Sequence, residues 1–312
     1  MRALLIVNPH ATSTTQLRRD VIVRALSSAV ELEVVETRYR GHATRLASAA
    51  RDEGFGLVLT LGGDGTVNEA VNGILGPPWA GRAAAASLPA LAALPGGSAN
   101  VFTQSVGLPT DPVDAAGQIL QALAEGRERS LGLGLAGGRY FSFNAGLGLD
   151  AEVVRAVDGH RAQGQAATPA LYVRMILRQF YRVTDRHHPA LTLERDGQPP
   201  VEQLFLGFVS NTAPWTYLGR HPVYTNPEAA FETGLDVFAL RSLRTVSTLR
   251  AIYQMRSSAR PPRGRGIFTL HDQAELTLRS ARPVAFQVDG EYMGEHESVT
   301  FLSVPGALRV IV

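Results

Sequence analysis

Over roughly the first 125 residues, short apolar runs alternate with stretches of helical periodicity, and beyond them the pattern changes. Ala3-Leu4-Leu5-Ile6-Val7, Leu32 to Glu36, Leu57 to Leu61 and a run within Ala84 to Leu94 have the length and aliphatic character of strands buried on both faces, as parallel sheets require. Each leads through a polar or glycine-rich turn into a helical segment: about Thr15 to Ala29, a helix through Arg51, Val67 to Leu75, and Asp111 to Glu125. In the third of these Val67, Ala70, Val71 and Ile74 fall on one face, and Pro77-Pro78 ends it. From Arg129 to Asn144 and again from Ala190 onward, alternating runs such as Leu204 to Val209 and Arg282 to Val288 predict antiparallel β-structure. The expected fold class is therefore α/β with two domains. Residues 1–128 would form a parallel α/β domain and residues 129–312 an antiparallel, β-sandwich-like one, with the last strand free to return to the first domain.

A chain of 312 residues is long enough for two cores. With 45% hydrophobic and 19% charged residues it reads as an ordinary globular protein. No apolar run approaches the ~20 residues that cross a bilayer, and the amino terminus enters a strand without a secretory pattern. The expectation is a cytoplasmic protein. The absence of cysteine excludes disulfides, thiol catalysis and thiolate metal sites. Every one of the basic residues is arginine, so any phosphate contact must be made without lysine.

The most constrained stretch is Gly62-Gly63-Asp64-Gly65-Thr66, directly after an apolar run and before a helix. Three glycines remove Cβ atoms where a backbone turns sharply and approaches a ligand, and Thr66 is placed to cap the following helix. Amides at a helix start, with its partial positive charge, make an anion site. A carboxylate within such a site is costly unless a metal or a proton transfer accounts for it, which singles out Asp64. The alternative is a βα turn in which Asp64 caps the helix. The stretch matches neither the dinucleotide fingerprint nor the Walker A pattern.

This turn resembles the signature of the diacylglycerol kinase and sphingosine kinase catalytic domain, whose relatives include NAD kinases and phosphofructokinases. Further matches follow in family order: the Asn8-Pro9 loop, Thr37-x-x-x-Gly41-His42-Ala43, Gly96-Gly97-Ser98-Ala99-Asn100, the loop from Asn144 to Asp150, and Asp289-Gly290-Glu291. The Asn-Glu pair of NAD kinases after the second glycine-rich turn and the Asp-x-Asp loop of phosphofructokinases are not found. The sequence also departs from the lipid kinases. Thr12-Ser13-Thr14 and Arg18 stand where Ser-Gly and a lysine are usual, and Val101 stands where many relatives have an acid.

What the resemblance implies is an ATP-dependent, Mg²⁺-requiring kinase that phosphorylates a hydroxyl of diacylglycerol or a related lipid. The alternatives are a kinase of the same superfamily with a soluble substrate, and a non-catalytic lipid- or nucleotide-binding member. The implied nucleotide contacts are Asn8, Pro9, Thr12, Thr37, Gly62, Gly63, Asp64, Gly65, Thr66, Asn68, Glu69, Gly97, Ser98 and Asn100. Asp64 would orient Mg²⁺ or act as base, and Glu291, helped by Asp289, would accept the proton. Relatives carry a structural Mg²⁺ before a Leu-Asp-Val strand, which points to Glu232 or Asp236. Read from residues alone, Asp289-Gly290 is a hairpin signal, Asp150 a helix cap and His42 a helix-start residue.

Two basic stretches interrupt the β pattern. Arg174, Arg178 and Arg182 are spaced as one helical stripe, and between Asp236 and Asp272 there is no acid while Arg241, Arg244, Arg250, Arg256, Arg260, Arg263 and Arg265 accumulate. They suggest peripheral contact with the inner face of a membrane, against the plainer reading of a solvated helix and loop. Nucleic acid is not expected, since no aromatics interleave the arginines at stacking distance. The remaining expected partners are the lipid substrate and, as an open alternative, a second copy of the chain.

Overall fold

The structure is a computed structural model that describes residues 1–11, 15–80, 85–162, 169–183, 185–219 and 221–312. It contains parallel strands in its amino-terminal part and antiparallel strands in its carboxyl-terminal part, as the α/β reading requires. The chain divides into two compact units. One comprises Met1–Leu133, Gly138–Tyr140 and Pro305–Val312, and the other Gly134–Gly137 and Phe141–Val304.

The first unit runs β1 (Arg2–Val7), α1 (Gln16–Ser27), β2 (Glu31–Glu36), α2 (His42–Asp52), β3 (Leu57–Gly62), α3 (Asp64–Leu75), β4 (Ala90–Pro95), α4 (Val101–Ser105) and α5 (Pro112–Glu125). The four strands are parallel in the order β2-β1-β3-β4. All residues of β3 and β4 are buried, which accounts for their unbroken apolar character. The edge strand β2 instead alternates, with Glu31 and Glu33 exposed, and charge on an edge discourages pairing with other chains. Two helices begin as the residues dictate: Thr15 accepts from Arg18 N at the start of α1, and Asp111 from Val113 N and Asp114 N at the start of α5. The third differs. Gly63 takes the N-cap position, so α3 starts at Asp64 and Thr66 lies inside its first turn instead of capping it.

The second unit follows as β5 (Arg129–Ala136), β6 (Arg139–Phe141), β7 (Asn144–Gly148), α6 (Leu149–Ala162), α7 (Pro169–Arg178), a π-helical turn at Gln179–Val183, β8 (Leu191–Arg195), β9 (Gln198–Leu204), β10 (Leu206–Ser210), β11 (Thr216–Leu218), β12 (His221–Val223), β13 (Leu235–Leu240), α8 (Thr245–Gln254), β14 (Ile267–Gln273), β15 (Glu275–Val288) and β16 (Glu291–Val310). Parts of β5, β6 and β16 lie in the first unit, where Val310 pairs with Leu91 of β4. In the second unit β14, β13, β10, β7, β15 and β16 are neighbours in that order. The long strand β15 changes partners along its length: Thr277–Ser280 pair with β8, and Phe286–Val288 with β7. Its pairing with β16 shifts register between Arg279 and Val284.

Alternation then sorts the side chains. Leu235, Val237 and Ala239 of β13 enter one core with Leu193, Leu278, Phe286 and Phe301, whereas Phe238 and Leu240 enter a second core with Phe180, Leu206, Phe208 and Met255. Both faces of β10 and β13 are thus buried, because residues of α6, the π-helical turn and the α8 segment cover the second face. Arg174 and Arg178 are exposed on α7, but the helix gives way to the π-helical turn before Arg182.

Two glycines in first-unit helices test this packing with opposite signs. A Cβ at Gly73 of α3 would lie 2.4 Å from the Thr44 carbonyl oxygen and 2.7 Å from Ala47 Cβ, so α2 and α3 touch there. Gly73→Ala is expected to lower the unfolding free energy by about 1–3 kcal/mol. Gly117 of α5 has nothing within 4 Å of that position, and Gly117→Ala should raise stability by about 0.5–1 kcal/mol. Urea unfolding of both variants checks the pair.

Candidate active site

In the first unit the parallel register brings the carboxyl ends of the strands into one row, since Val7 lies beside Glu36 and Leu61, and Gly62 beside Pro95. The loop after β1, the Thr37 turn, the Gly63 turn and the Gly96-Gly97 turn therefore share one edge of the sheet. With the order β2-β1-β3-β4, the reversal of strand order falls between β1 and β3, where open α/β sheets take their ligands. Asn8 Nδ2 donates to Thr66 Oγ1 at 3.4 Å across this point, while Asn8 Oδ1 accepts from His10 N. Pro9 is exposed in the same loop, and Thr12 lies outside the described residues.

The two glycine-rich turns are locked to each other. Gly96 N donates to the Gly62 carbonyl oxygen at 2.8 Å. A Cβ at Gly96 would come within 2.9 Å of Gly62 Cα, one at Gly97 within 2.7 Å of Gly63 Cα, and one at Gly62 within 2.6 Å of Thr66 Oγ1. Gly62, Gly96 and Gly97 are thus required by contact with neighbouring protein atoms. Asn100 holds the second turn in shape: it adopts a left-handed conformation, accepts from Gly97 N at 2.7 Å and donates to the Gly97 carbonyl oxygen at 2.8 Å. Ser98 is exposed at the tip. Asp64 Oδ1 accepts from Phe102 N, so this carboxylate ties the start of α3 to the start of α4. No side chain caps α3 at Gly63, which keeps its amide-rich start suited to an anion, and Gly65 lies in that first turn.

Two expected nucleotide contacts turn inward instead. Glu69 is buried and accepts from Gly41 N at 2.7 Å and Ala43 N at 3.1 Å, so its carboxylate serves as the anion at the start of α2. Asn68, also buried, donates to the Tyr140 carbonyl oxygen and accepts from Arg139 Nε. Asn72, which sequence reasoning missed, donates to the same carbonyl and accepts from Tyr140 N. Thr37 N donates to the Val7 carbonyl oxygen, which places the Thr37 residue at the sheet edge. His42 is the first residue of α2; its Nδ1 accepts from Arg38 N, closing the Thr-x-x-x-Gly-His turn.

In the second unit Asp289 and Gly290 both have positive φ and join β15 to β16 as a two-residue hairpin, with Val288 opposite Glu291. The Asp289 side chain does more than turn the chain. It is buried and accepts from Ser142 N, Ser142 Oγ, Phe143 N and Asn144 N at 2.8–3.1 Å. A carboxylate so occupied positions the segment before β7. Gln287 extends the network: its Nε2 donates to Asn144 Oδ1 and Asp150 Oδ2, both at 2.8 Å, and its Oε1 accepts from Gly290 N. Its only sequence signal was a polar residue in an apolar strand beside Asp-Gly. Asp150 lies within the first turn of α6 and is not its cap.

The residues proposed for a structural metal do not form a carboxylate cage. Asp236 is buried on β13, where its Oδ1 is engaged by His271 Nδ1 at 2.8 Å and by Asp272 N, while Glu232 is exposed. Burial raises the Asp236 carboxyl, and the bond to Asp236 raises His271. Among the described residues no group of three or more His, Asp or Glu side chains could hold an ion.

Residues 2–133 match the family model of the diacylglycerol kinase catalytic domain. Over 312 aligned positions, which take in 94% of this chain and 87% of the relative, the chain is 25% identical to a diacylglycerol kinase of Staphylococcus aureus (strain bovine RF122 / ET3-1). A solved diacylglycerol kinase from Bacillus anthracis str. Sterne superposes with a TM-score of 0.68 at 20% identity, covering 99% of this chain and 96% of that one. An NAD kinase from Archaeoglobus fulgidus, solved with ATP, gives 0.52 at 12% identity, covering 100% and 94%. The fold is that of two-domain kinases. The match over residues 2–133 and the similarity along most of the chain both point to the diacylglycerol kinases.

Burial pushes the Asp150 carboxyl up to about 7, against the opposing hydrogen bond from Gln287. A carboxyl raised on folding is held more tightly as the acid, so its contribution is fully present below the unfolded value near 4 and is lost as pH rises toward 7. Unfolding free energy should therefore fall across pH 5 to 7, this group supplying a slope of up to about 1.4 kcal/mol per pH unit. Asp150→Asn cannot ionise and should lack that slope; urea unfolding of both proteins at three pH values would show parallel curves if the burial were immaterial.

Proposed function

We propose that the protein transfers the γ-phosphoryl group of ATP to a hydroxyl of diacylglycerol or a closely related lipid. The observation that carries this reading is the locked pair of glycine-rich turns at the reversal of strand order, in a segment that matches the diacylglycerol kinase catalytic domain. Phosphoryl transfer asks the protein for a phosphate cradle, charge compensation and a base on the attacking hydroxyl. Gly63, Gly65 and Thr66 at the uncapped start of α3, with Asn8, Thr37 and Ser98 on adjoining loops, supply the cradle. Asp64, which braces α4 through Phe102 N, would orient the Mg²⁺ that offsets the phosphate charge of ATP. Glu291 is the proton acceptor, aimed by the Asp289 anchor. The resemblance to an NAD kinase solved with ATP favours one second reading, a soluble phosphate acceptor.

Purified protein incubated with γ-labelled ATP and separate acceptors tests the proposal. Label should appear in phosphatidic acid when diacylglycerol is offered in micelles; label in NAD alone would move the assignment to the second reading. Asp64→Asn should abolish transfer in a folded protein. For Glu291→Gln, kcat is expected to fall at least about a hundredfold, with KM for ATP nearly unchanged and the acid limb of the pH–rate profile lost. Retention of that limb would assign the base to another group.

A further inference from the structure

Helix α8 presents large apolar side chains on its outer side. Val246, Leu249 and Tyr253 are 82%, 59% and 74% exposed and share one face at helical spacing, with Ile252 at its margin also exposed. The opposite face is secured, since Ala251 is buried and Leu243 and Met255, which flank the helix, enter the second core. Arg186 fixes the helix start by donating to the Leu243 carbonyl oxygen and Thr245 Oγ1 while its guanidinium lies over the Phe180 ring. The exposed row is thus held on a rigid support. Contiguous exposed apolar side chains ringed by charge mark an interaction surface.

The charge beside this row has one sign. Arg244, Arg250, Arg256, Arg260, Arg263 and Arg265 are exposed, and none has a carboxylate partner among the described residues. Arg244 stands at the N-cap, the helix end where a cation is disfavoured, so its charge does not serve the helix. Directly after α8 the chain forms an open cavity of about 560 Å³ lined by Tyr253, Gln254, Arg256, Ser257, Arg260 and Arg263. Its wall is built: Gln254 Nε2 donates to the Arg263 carbonyl oxygen and Gln254 Oε1 accepts from Arg263 N. A concavity lined by three arginines suits a phosphate, and an adjoining apolar row suits acyl chains.

We infer that this face of the second unit docks on an anionic phospholipid bilayer, with Val246, Leu249 and Tyr253 entering the acyl boundary and the arginine cavity holding a lipid phosphate. The assay contains no ATP, so its outcome is independent of the kinase reading. Sedimentation with vesicles rich in phosphatidylglycerol should exceed that with pure phosphatidylcholine vesicles at least about tenfold, and should weaken as salt is added. Leu249→Ser with Tyr253→Ser should weaken binding to the anionic vesicles about tenfold or more. Arg256→Gln with Arg260→Gln and Arg263→Gln should remove the preference for anionic over neutral vesicles. Unfolding midpoints matching the parent protein certify the variants, whose substitutions lie on exposed positions. Equal binding to both vesicles, or undiminished binding by the Leu249 and Tyr253 variant, overturns the inference. Release by inorganic phosphate where chloride at matched ionic strength has no effect also overturns it, in favour of a site for the free ion.

Discussion

Two backbone turns in contact with each other set the geometry of the candidate nucleotide site. The turn after β3 and the turn after β4 approach so closely that a side chain at Gly96 or Gly97 would overlap the backbone of Gly62 or Gly63. Their hydrogen bond from Gly96 N to the Gly62 carbonyl oxygen continues the β3–β4 pairing beyond the strands. Everything local to the site hangs from this contact. It fixes where α3 begins, holds Asp64 within reach of Phe102 N, and leaves Thr66 beside Asn8. A phosphate cradle made this way is preorganised, because its amides need no rearrangement to receive an anion.

The second unit uses one carboxylate to similar effect. Asp289 sits in a strained left-handed position at a hairpin tip, yet its four accepted hydrogen bonds hold the segment from Ser142 to Asn144. Gln287 then couples the same tip to Asn144 and Asp150. Buried polar groups cost free energy unless paired, and this network pairs those at the hairpin tip.

The parallel order of the amino-terminal strands and the alternation of the carboxyl-terminal ones were legible in the chain, because burial on both faces and on one face leave different patterns. The glycine-rich turns were legible as constrained, but their cause was read as ligand approach when each answers in large part to the other turn. Asn68 and Glu69 were expected at the nucleotide through the family resemblance, and they lie off the apolar stripe formed by Val67, Ala70, Val71 and Ile74. Helix α3 is buried almost all round, and residues off its stripe meet α2 and the Arg139–Tyr140 strand instead. Asp289 was legible both as a turn and as a functional motif; its anchoring role depends on Ser142 and Phe143, far away in sequence. Gln287 carried one signal, a polar residue in an apolar strand beside Asp-Gly, and that signal names neither Asn144 nor Asp150 as its partner.

Hydrogen–deuterium exchange with and without MgATP tests whether the locked turns at the ends of β3 and β4 receive the nucleotide phosphates. Amides of Gly63–Val67 and Gly96–Phe102 should exchange more slowly when MgATP is bound, as ligand contacts and reduced local opening both require. Protection absent from these two segments under saturating nucleotide, or confined to others, would contradict the claim.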